Sequence, residues 1–454
     1  MKLSKIKTLD FDAKIKTQGW VKNHRKQKEI GFIDVFDGSM FETVQLVYES
    51  QHQEIKLLQN LKPGDAIEID GRKVKSFKND FEISVDKINI LSKADEDYPI
   101  QPKFHSKKFL REQSHLRNRT DLFRAIFKIR SVTSMAIHTY FQKNDFYHIH
   151  TPLITCADCE GEQQMFKLTA LDFEHLPFKD RKIDFKKDLF SKPVYITGTG
   201  QLHAEAMAMG LGDVYTFGPT LRTEKSHTKV HANEFWMIEA EMAFCDLDGL
   251  MNIQEDAIKN IVQEVLDKCG EELRFLERYT KQELILKLEK LLSSSSSRIS
   301  YEKAIDLLKK ADKRWEFEPK YGEDLAKEHE RYLAEEYFKG PVFITDWPRM
   351  IKPFYCKVNK DLQTVGAVDY ILPLCGELSS GSQREDDYQM LLSNATDMNI
   401  DLKTIDWYMD LRRFGSVVHS GFGFVLERLL IYLTGMDNIR DVIAFYRTPG
   451  NCRY

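Results

Sequence analysis

The chain has 454 residues, of which 42% are hydrophobic and 30% are charged, and its formal net charge is −4. This composition excludes a disordered chain, and the length exceeds the roughly 100–200 residues of a typical single domain. A net negative charge argues against a protein that coats DNA regardless of sequence. Apolar runs stay shorter than the ~20 residues of a membrane helix, and the N-terminal residues resemble neither a secretion signal nor an import signal. We therefore expect a cytoplasmic protein with no membrane partner.

Residues 1–93 contain five short strand-like runs, separated by turn signals such as Asp37-Gly38 and Asp70-Gly71. This pattern is typical of a five-stranded β-barrel of the oligonucleotide-binding (OB) type. The segment carries slightly more basic than acidic residues, which weakly favours a nucleic-acid partner. A charged, proline-containing linker over 94–102 is expected to lead into a second domain over 103–454.

The second domain is predicted to begin with a long helix from Asp121 to about Lys143, for which Thr120 is a suitable N-cap. Apolar and small residues recur on one side of this helix, at Ile126, Ile129, Thr133, Ala136, Ile137 and Tyr140. Such a stripe predicts a face buried in the core or, in a helix this long, at a dimer interface.

The rest of the chain predicts an α+β domain. Strand-like and turn-like segments alternate up to Phe244, and residues 245–338 are mostly helical, with Gly270 as a helix stop. Strands resume near Val342, and a last helix is expected from Gly423 to about Thr434.

Three groups of residues are candidates for ligand binding or catalysis. Arg222 and Glu224 are followed by Phe235, and an arginine beside an aromatic ring suits the phosphate and base of a nucleotide, although a surface hairpin with ion pairs is an equal alternative. Asp369 and Glu377 flank a turn and suit Mg²⁺, although acidic pairs usually lie on a solvated face. The segment 419–430 places Glu427-Arg428 in an apolar run, where charges are costly unless they are paired or bind a ligand.

Taken together and in this order, the segments resemble the three motifs of the class II aminoacyl-tRNA synthetases. The Pro152 segment resembles motif 1, Arg222-Thr223-Glu224 with Glu234-Phe235 resembles motif 2, and 421–428 resembles motif 3. The resemblance implies an antiparallel catalytic sheet flanked by helices, and a homodimer across the motif 1 helix. It also implies that the barrel binds an anticodon, as in the Asp/Asn/Lys subgroup, through Arg25, Phe32 and Gln45, with Phe32 stacked on a base and Gln45 reading one.

Several strings resemble the asparaginyl-tRNA synthetases in particular, above all the tail 447–452, Arg-Thr-Pro-Gly-Asn-Cys. The aspartyl enzymes place a lysine three residues after the glutamine that matches Gln201, and here that position is Ala204. Without that cation, a neutral carboxamide is favoured over a carboxylate. The resemblance therefore implies L-asparagine and tRNA(Asn) as substrates, together with ATP and Mg²⁺.

The resemblance also implies a role for each site residue. Glu160 and Gln201 hold the substrate α-amino end, and Arg384 reads the side-chain carbonyl. Arg222 binds the α-phosphate, Phe235 and Arg428 sandwich the adenine, Glu224 and His231 contact ATP, and Asp369 and Glu377 hold Mg²⁺. The two arginines, Arg222 and Arg428, are the expected catalytic residues.

The sequence departs from the family pattern at two notable positions. Val425 stands where motif 3 usually has its third glycine, which predicts weaker ATP binding if the position faces the nucleotide. Lys225 replaces a usual amide near the substrate pocket and keeps an aspartyl-tRNA synthetase, strict or non-discriminating, as the closest alternative. A non-catalytic RNA-binding relative and an aspartate-amidating paralogue are further alternatives, disfavoured by the intact motifs and by the barrel respectively.

Overall fold

The computed structural model describes residues 1–49, 58, 60–76, 79–156, 165–226 and 228–454. The chain forms two compact units, Met1–Phe127 and Lys128–Tyr454. The division falls inside the long helix Asp121–Lys143, and the predicted linker over 94–102 stays a prediction. No helix within the described part of the chain is long and apolar enough to cross a membrane.

The first unit contains the predicted five-stranded barrel. Its strands are Lys14–Lys26 (β1), Ile30–Phe36 (β2), Val44–Glu49 (β3), Ala66–Val74 (β4) and Glu82–Ser92 (β5). They close in the order β1-β2-β3-β5-β4, and only the described β3–β5 pair is parallel. Side chains along β1 and β4 alternate between buried and open positions, so the period-2 pattern fills the barrel with aliphatic residues. The predicted fold of this region is confirmed.

The second unit is built on a mixed, mostly antiparallel sheet. Its strands and those of the smaller sheets are Tyr147–His148 (β6), Ile154–Thr155 (β7), Phe166–Leu168 (β8), Phe178–Lys179 (β9), Lys182–Ile183 (β10), Val194–Ile196 (β11), Asp213–Leu221 (β12), Glu234–Ala243 (β13), Ser297–Ser300 (β14), Val342–Pro348 (β15), Thr364–Leu372 (β16), Gly376–Gln383 (β17) and His419–Val425 (β18). The large sheet has the order β14-β15-β16-β17-β18-β13-β12-β6. Its described pairs are antiparallel except β12–β6 and β14–β15. The predicted α+β class is confirmed.

The helices flank these sheets. They are Leu3–Ile6, Lys107–Glu112, Asp121–Lys143, Gln201–Leu211, Leu247–Lys268, Gly270–Thr280, Leu284–Ser293, Tyr301–Lys310, Lys327–Arg331, a π-helical turn Tyr332–Tyr337, Tyr388–Asp397, Asp406–Arg413 and Leu426–Thr434. The helix Asp121–Lys143 has the predicted bounds, and all six residues of the predicted stripe are buried. Thr120 caps it by accepting a hydrogen bond from the Phe123 amide at 3.4 Å.

Of two predicted helix boundaries marked by glycine, one is wrong and one is confirmed. The last helix begins at Leu426 rather than Gly423, because Gly423 belongs to β18 and pairs with Glu239 of β13. The helix Leu247–Lys268 ends just before Gly270, as predicted, and Gly270 itself begins the next helix. In both cases the glycine marks a change of element, but tertiary packing decides on which side of the boundary it lies.

The helix Leu247–Lys268 packs on β16, β17 and β18 and covers one face of the sheet. Gln254 of this helix donates a hydrogen bond to the Ser379 hydroxyl at 3.1 Å. The opposite face of the same strands carries a concentration of charged side chains, and that face is the candidate site.

Candidate functional site

Two glutamates project from β13 onto the face of the sheet that lies opposite the helix Leu247–Lys268, and we call this face the open face. Directly paired residues of antiparallel strands share a face, and Glu239 and Glu241 pair with Gly423 and Gly421. A Cβ atom at Gly421 would lie 2.1 Å from the Glu241 carboxylate. The motif 3 glycine therefore makes room for an acidic side chain on the neighbouring strand.

Glu241 holds the predicted substrate-reading arginine, Arg384, which follows β17. The Arg384 Nε atom donates to Glu241 Oε2 at 3.1 Å, a second nitrogen donates to Oε1, and the third donates to the Ser382 hydroxyl at 2.8 Å. The two charged side chains are almost fully buried. Burial raises the pKa of Glu241, while the Arg384 guanidinium opposes that shift. Three of the five guanidinium N–H groups are used in these bonds, so Arg384 is fixed in place and still has donors for a ligand.

Gln201 begins the helix Gln201–Leu211, and its side chain is held by Glu205, the centre of a buried cluster of charged and polar side chains. Its Nε2 atom donates to Glu205 at 2.8 Å, and Glu205 also accepts from Tyr408 at 2.7 Å, contacts His419 at 2.8 Å and pairs with Arg412 at 2.5 Å. Burial alone would raise the pKa of Glu205, but Arg412 and His419 hold it well below its usual range. The Gln201 Oε1 atom is buried and has no hydrogen-bond partner among the described residues. A buried acceptor of this kind is ready for a ligand donor such as an ammonium group.

Glu239 fixes the backbone in front of Gln201. Its carboxylate accepts hydrogen bonds from the Thr199 hydroxyl, from the Gly200 amide at 3.0 Å and from the Thr216 hydroxyl at 3.2 Å. A Cβ atom at Gly200 would lie 2.2 Å from the Thr151 hydroxyl, so only glycine fits between these groups. The helix that carries Gln201 therefore starts at a fixed point on the sheet.

The predicted nucleotide residues surround the end of β12 and the start of β13. Arg222 comes directly after β12, donates to the Gly198 carbonyl oxygen at 3.2 Å and lies 5.7 Å from the Phe235 ring centroid. The His231 Nε2 atom lies 3.7 Å from a Glu224 carboxylate oxygen. The structure thus brings Arg222 and Phe235 together, and both Arg222 and Glu224 follow the end of β12 at Leu221.

Arg428 and the two predicted metal ligands are close to one another. The Arg428 guanidinium donates to the Glu377 backbone oxygen at 2.9 Å and lies 3.5 Å from its carboxylate. A bulge between Tyr370 and Ile371 shifts the β16–β17 register, so Glu377 shares a face with Asp369. Glu427, the other charge of motif 3, is buried in an ion pair with Arg130 at 2.8 Å and is structural.

The residues around Asp369 fit a divalent cation. Burial raises the pKa of Asp369 to about 6, with Lys352 opposing the shift and Glu377 adding to it. Burial also raises the pKa of Glu330 to about 7, and Glu377 and Asp369 add to that shift. Crowded carboxylates of this kind favour a bound cation, and Lys352, at 2.7 Å from Asp369, balances only part of the charge. Among the described residues, no three His, Cys, Asp or Glu side chains are arranged as a complete metal site. A Mg²⁺ site does not require three protein ligands, because Mg²⁺ combines a few carboxylates with substrate phosphates and water.

Three predicted features need separate comment. Glu160 lies outside the described residues. Lys225 is exposed, while Ala204, at the position of the aspartyl lysine, is fully buried against Ala208 and Val214. Val425 pairs with Met237 and therefore lies on the same sheet face as Glu239, the open face.

The three predicted anticodon residues lie together on the barrel. Arg25 of β1 pairs with Phe32 of β2, and its guanidinium lies 5.7 Å from the Phe32 ring centroid. Asp34, one step along the same face of β2, accepts hydrogen bonds from Gln45 at 3.3 Å and from Arg25 at 3.4 Å. A half-buried ring beside hydrogen-bonding groups is a typical surface for an unpaired base.

Several residues that shape the site were missed in the sequence. They are Glu205, Glu239, Glu241, Glu330, Lys352, Arg412 and His419. The available signal was a charged or imidazole side chain inside an apolar run, as for Glu239 and Glu241 in β13. That signal names a candidate but not its partner, because the partners come from distant segments.

The order of these elements defines a class II aminoacyl-tRNA synthetase. Residues 106–449 match the family model for tRNA synthetases class II (D, K and N), and residues 15–91 match the model for an OB-fold nucleic acid binding domain.

Comparison with known proteins shows which family within this class the chain resembles. The chain is 48% identical to the asparagine–tRNA ligase of Acholeplasma laidlawii, covering 96% of this chain and 95% of the relative, and 44% identical to that of Borreliella burgdorferi, covering 98% of each. It is also similar to the asparaginyl-tRNA synthetase of Pyrococcus horikoshii, solved with asparaginyl-adenylate. Their TM-score is 0.86, with 30% identity over 100% of this chain and 99% of the other. The chain belongs to the asparagine–tRNA ligase family.

Proposed function

We propose that the chain ligates L-asparagine to tRNA(Asn) in two steps, using ATP, at the open face of the large sheet. The observation that carries this proposal is the buried Arg384–Glu241 pair, and it is joined by the sequence position of Ala204, where an aspartate enzyme has lysine. A carboxamide oxygen can accept from a free N–H of Arg384. A carboxylate would meet an arginine whose charge Glu241 already balances, with no second cation from position 204.

Gln201 is proposed to hold the α-amino end of the substrate. Its Oε1 atom is a buried acceptor without a partner among the described residues, and an ammonium group supplies the missing donor. Glu160 is assigned to the same end by family resemblance alone.

Arg222 is proposed to bind the α-phosphate of ATP, and Phe235 and Arg428 to enclose the adenine ring. The proximity of Arg222 to the Phe235 ring supports this pairing of charge and π-surface. Glu224 and His231, next to each other at the end of β12, are assigned to further ATP contacts.

Asp369 and Glu377 are proposed to hold Mg²⁺. When bound, the ion would offset negative charge on the phosphates.

The first step joins the substrate carboxylate to the α-phosphorus. A carboxylate oxygen attacks, the bond to the bridging oxygen of pyrophosphate breaks, and aminoacyl-adenylate and pyrophosphate result. The carboxylate is already a nucleophile, so no side-chain base is needed, and Arg222 and Arg428 act by position and charge. In the second step a terminal hydroxyl of the tRNA attacks the acyl carbon, releasing AMP and a proton.

The barrel face formed by Arg25, Phe32 and Gln45 is proposed to bind the anticodon.

A homodimer across the motif 1 helix is also proposed. Met135 on the helix Asp121–Lys143 is largely exposed, as is Tyr147 of the edge strand β6, and a second copy would cover such apolar side chains. Sedimentation velocity on the purified chain tests the dimer, and a single species at 53.1 kDa contradicts it.

ATP–pyrophosphate exchange with L-asparagine or L-aspartate at equal concentration tests the activity. We expect exchange with asparagine and at most weak exchange with aspartate. Preferential exchange with aspartate would overturn the amino-acid assignment, and no exchange with either would overturn the enzymatic assignment.

A further inference from the structure

A cavity of about 760 Å³ opens in the second unit between the helix Leu284–Ser293, the segment 339–341, the turn 373–374 and the end of the helix Leu426–Thr434. Its apolar wall is formed by Leu284, Leu286, Leu291, Pro341, Pro373, Leu374 and Tyr432. This volume suits a small organic molecule. We call it the Lys287 cavity, after the cation in its wall.

Lys287 is a half-buried cation without a carboxylate partner among the described residues. Its Nζ atom donates to the Tyr432 backbone oxygen and lies 4.2 Å from the Tyr432 ring centroid. It forms no ion pair with any carboxylate in the described part of the chain. Burial lowers the pKa of Lys287 to about 8, as expected for an ammonium group removed from water without a counterion.

The acidic residues that line the cavity do not supply that counterion. Glu335 accepts a hydrogen bond from the Leu374 amide at 3.0 Å and pairs with Arg331 at 3.1 Å. Glu283 is exposed and does not contribute to the pKa shift of Lys287. Two further lysines, Lys290 and Lys339, add positive charge to the lining.

We propose that the Lys287 cavity binds an amphipathic small-molecule carboxylate, with the carboxylate at Lys287 Nζ and the apolar body against Leu286, Pro373 and Leu374. A bound carboxylate would supply a counterion for the Lys287 ammonium. The apolar body of the ligand would also remove apolar surface of the cavity wall from water, which is favourable. Of the three lysines that line the cavity, Lys290 and Lys339 are exposed and only Lys287 is partly buried, and one such ammonium among aliphatic side chains suits a monocarboxylate. A phosphate needs more donors than this wall offers, because phosphate sites usually combine an arginine fork or several backbone N–H groups.

Isothermal titration of the full chain with octanoate tests the proposal, and octanamide serves as the uncharged probe of the same length. We expect octanoate to bind at least about tenfold more tightly than octanamide, because a charge-assisted bond to a half-buried lysine exceeds a neutral one. Lys287→Met should weaken octanoate binding by about tenfold or more and leave octanamide binding unchanged. The control Lys281→Met removes an exposed lysine charge just before the same helix and outside the cavity lining, and it should change octanoate binding by less than about twofold.

A second variant covers the case in which Lys287→Met does not fold, since Lys287 also holds the Tyr432 carbonyl oxygen. Leu286 is 41% exposed, so Leu286→Glu leaves that contact intact and places a repelling carboxylate in the wall. It should weaken octanoate binding about tenfold and octanamide binding less. The proposal is overturned if octanoate fails to bind in the millimolar range, if octanamide binds equally well, or if neither variant weakens octanoate binding. These outcomes are independent of pyrophosphate exchange, so they do not depend on the proposed ligase function.

Discussion

Glu241→Gln should weaken the preference for asparagine over aspartate. The substitution keeps the shape of the side chain and removes the negative charge that Arg384 contacts through two nitrogens. Arg384 then carries an unbalanced positive charge in the pocket. Because aspartate differs from asparagine in charge rather than in size, the pocket should become more favourable to aspartate.

The magnitude follows from the burial of the pair. Two unit charges about 4 Å apart interact by about 4 kcal/mol at an effective dielectric constant of about 20, which applies even to buried protein sites. Relaxation of the arginine and entering water reduce the usable part, and we expect about 1.4–3 kcal/mol. This corresponds to a fall of about 10- to 100-fold in the ratio of kcat/KM for asparagine to that for aspartate.

The assay is ATP–pyrophosphate exchange with both amino acids, on variant and parent enzyme. Lys225→Gln is the matched control, because Lys225 is exposed and should leave the ratio unchanged. Thermal unfolding should accompany the kinetics, since breaking a buried ion pair costs about 3–5 kcal/mol of stability. A folded Glu241→Gln enzyme that loses activity toward both amino acids equally would refute the charge-balance reasoning. In that case Glu241 would only position Arg384.

Further predictions concern the barrel, motif 3 and the buried cluster around Glu205. Phe32→Ala should raise the KM for tRNA about tenfold, the value of one stacked base, without changing pyrophosphate exchange; a change in exchange would contradict the anticodon role. Val425→Gly should lower the KM for ATP a few-fold, since the position lies on the open face, and an unchanged KM would show that the valine is harmless. Glu205→Gln should flatten the pH dependence of the free energy of unfolding: the Glu205 pKa is lowered in the folded chain, so its stabilisation is present above its usual value of 4.5 and is lost as the pH falls toward a folded value of about 2. An unchanged slope in acid unfolding would contradict this.

The barrel and the long helix could be predicted because local patterns determine them. In β1, alternate burial repeats the alternation in the sequence. The helix Asp121–Lys143 has an N-cap and an uninterrupted apolar stripe, and neither signal requires knowledge of a distant partner.

Motif 3 shows where local reasoning fails. The sequence predicts that the last helix begins at Gly423, yet Gly421 and Gly423 both lie in β18. The small size of Gly421 is required by the Glu241 carboxylate across the strand pair, whereas a Cβ atom at Gly423 would make only ordinary contacts of 3.4 Å with Glu239 and Met237. A glycine selected for close approach looks the same in sequence as one selected for conformational freedom. Only the register distinguishes them.

The roles of the site residues could be predicted from the family resemblance. The partners that balance their charges could be identified only from the folded structure. Gln201 could be assigned to the substrate, but its support comes from Glu205, Tyr408 and Arg412, which lie up to about two hundred residues away. Such groups are brought together only by tertiary structure, so their partners cannot be read from spacing.

The two ends of the proposed site differ in charge balance, and this difference matches their proposed ligands. At the amino-acid end, Glu241 is balanced by Arg384 and Glu205 by Arg412. A substrate with a neutral side chain can enter there without creating a new unpaired charge. At the metal end, Asp369 has one lysine, and Glu330 and Glu377 add negative charge that the described residues balance only partly. A bound Mg²⁺ ion would bring the missing positive charge to that end, between the carboxylates and the nucleotide phosphates. This difference in charge balance therefore favours one orientation of the two substrates. If asparagine and the magnesium nucleotide exchanged ends, charges would be left unbalanced at both.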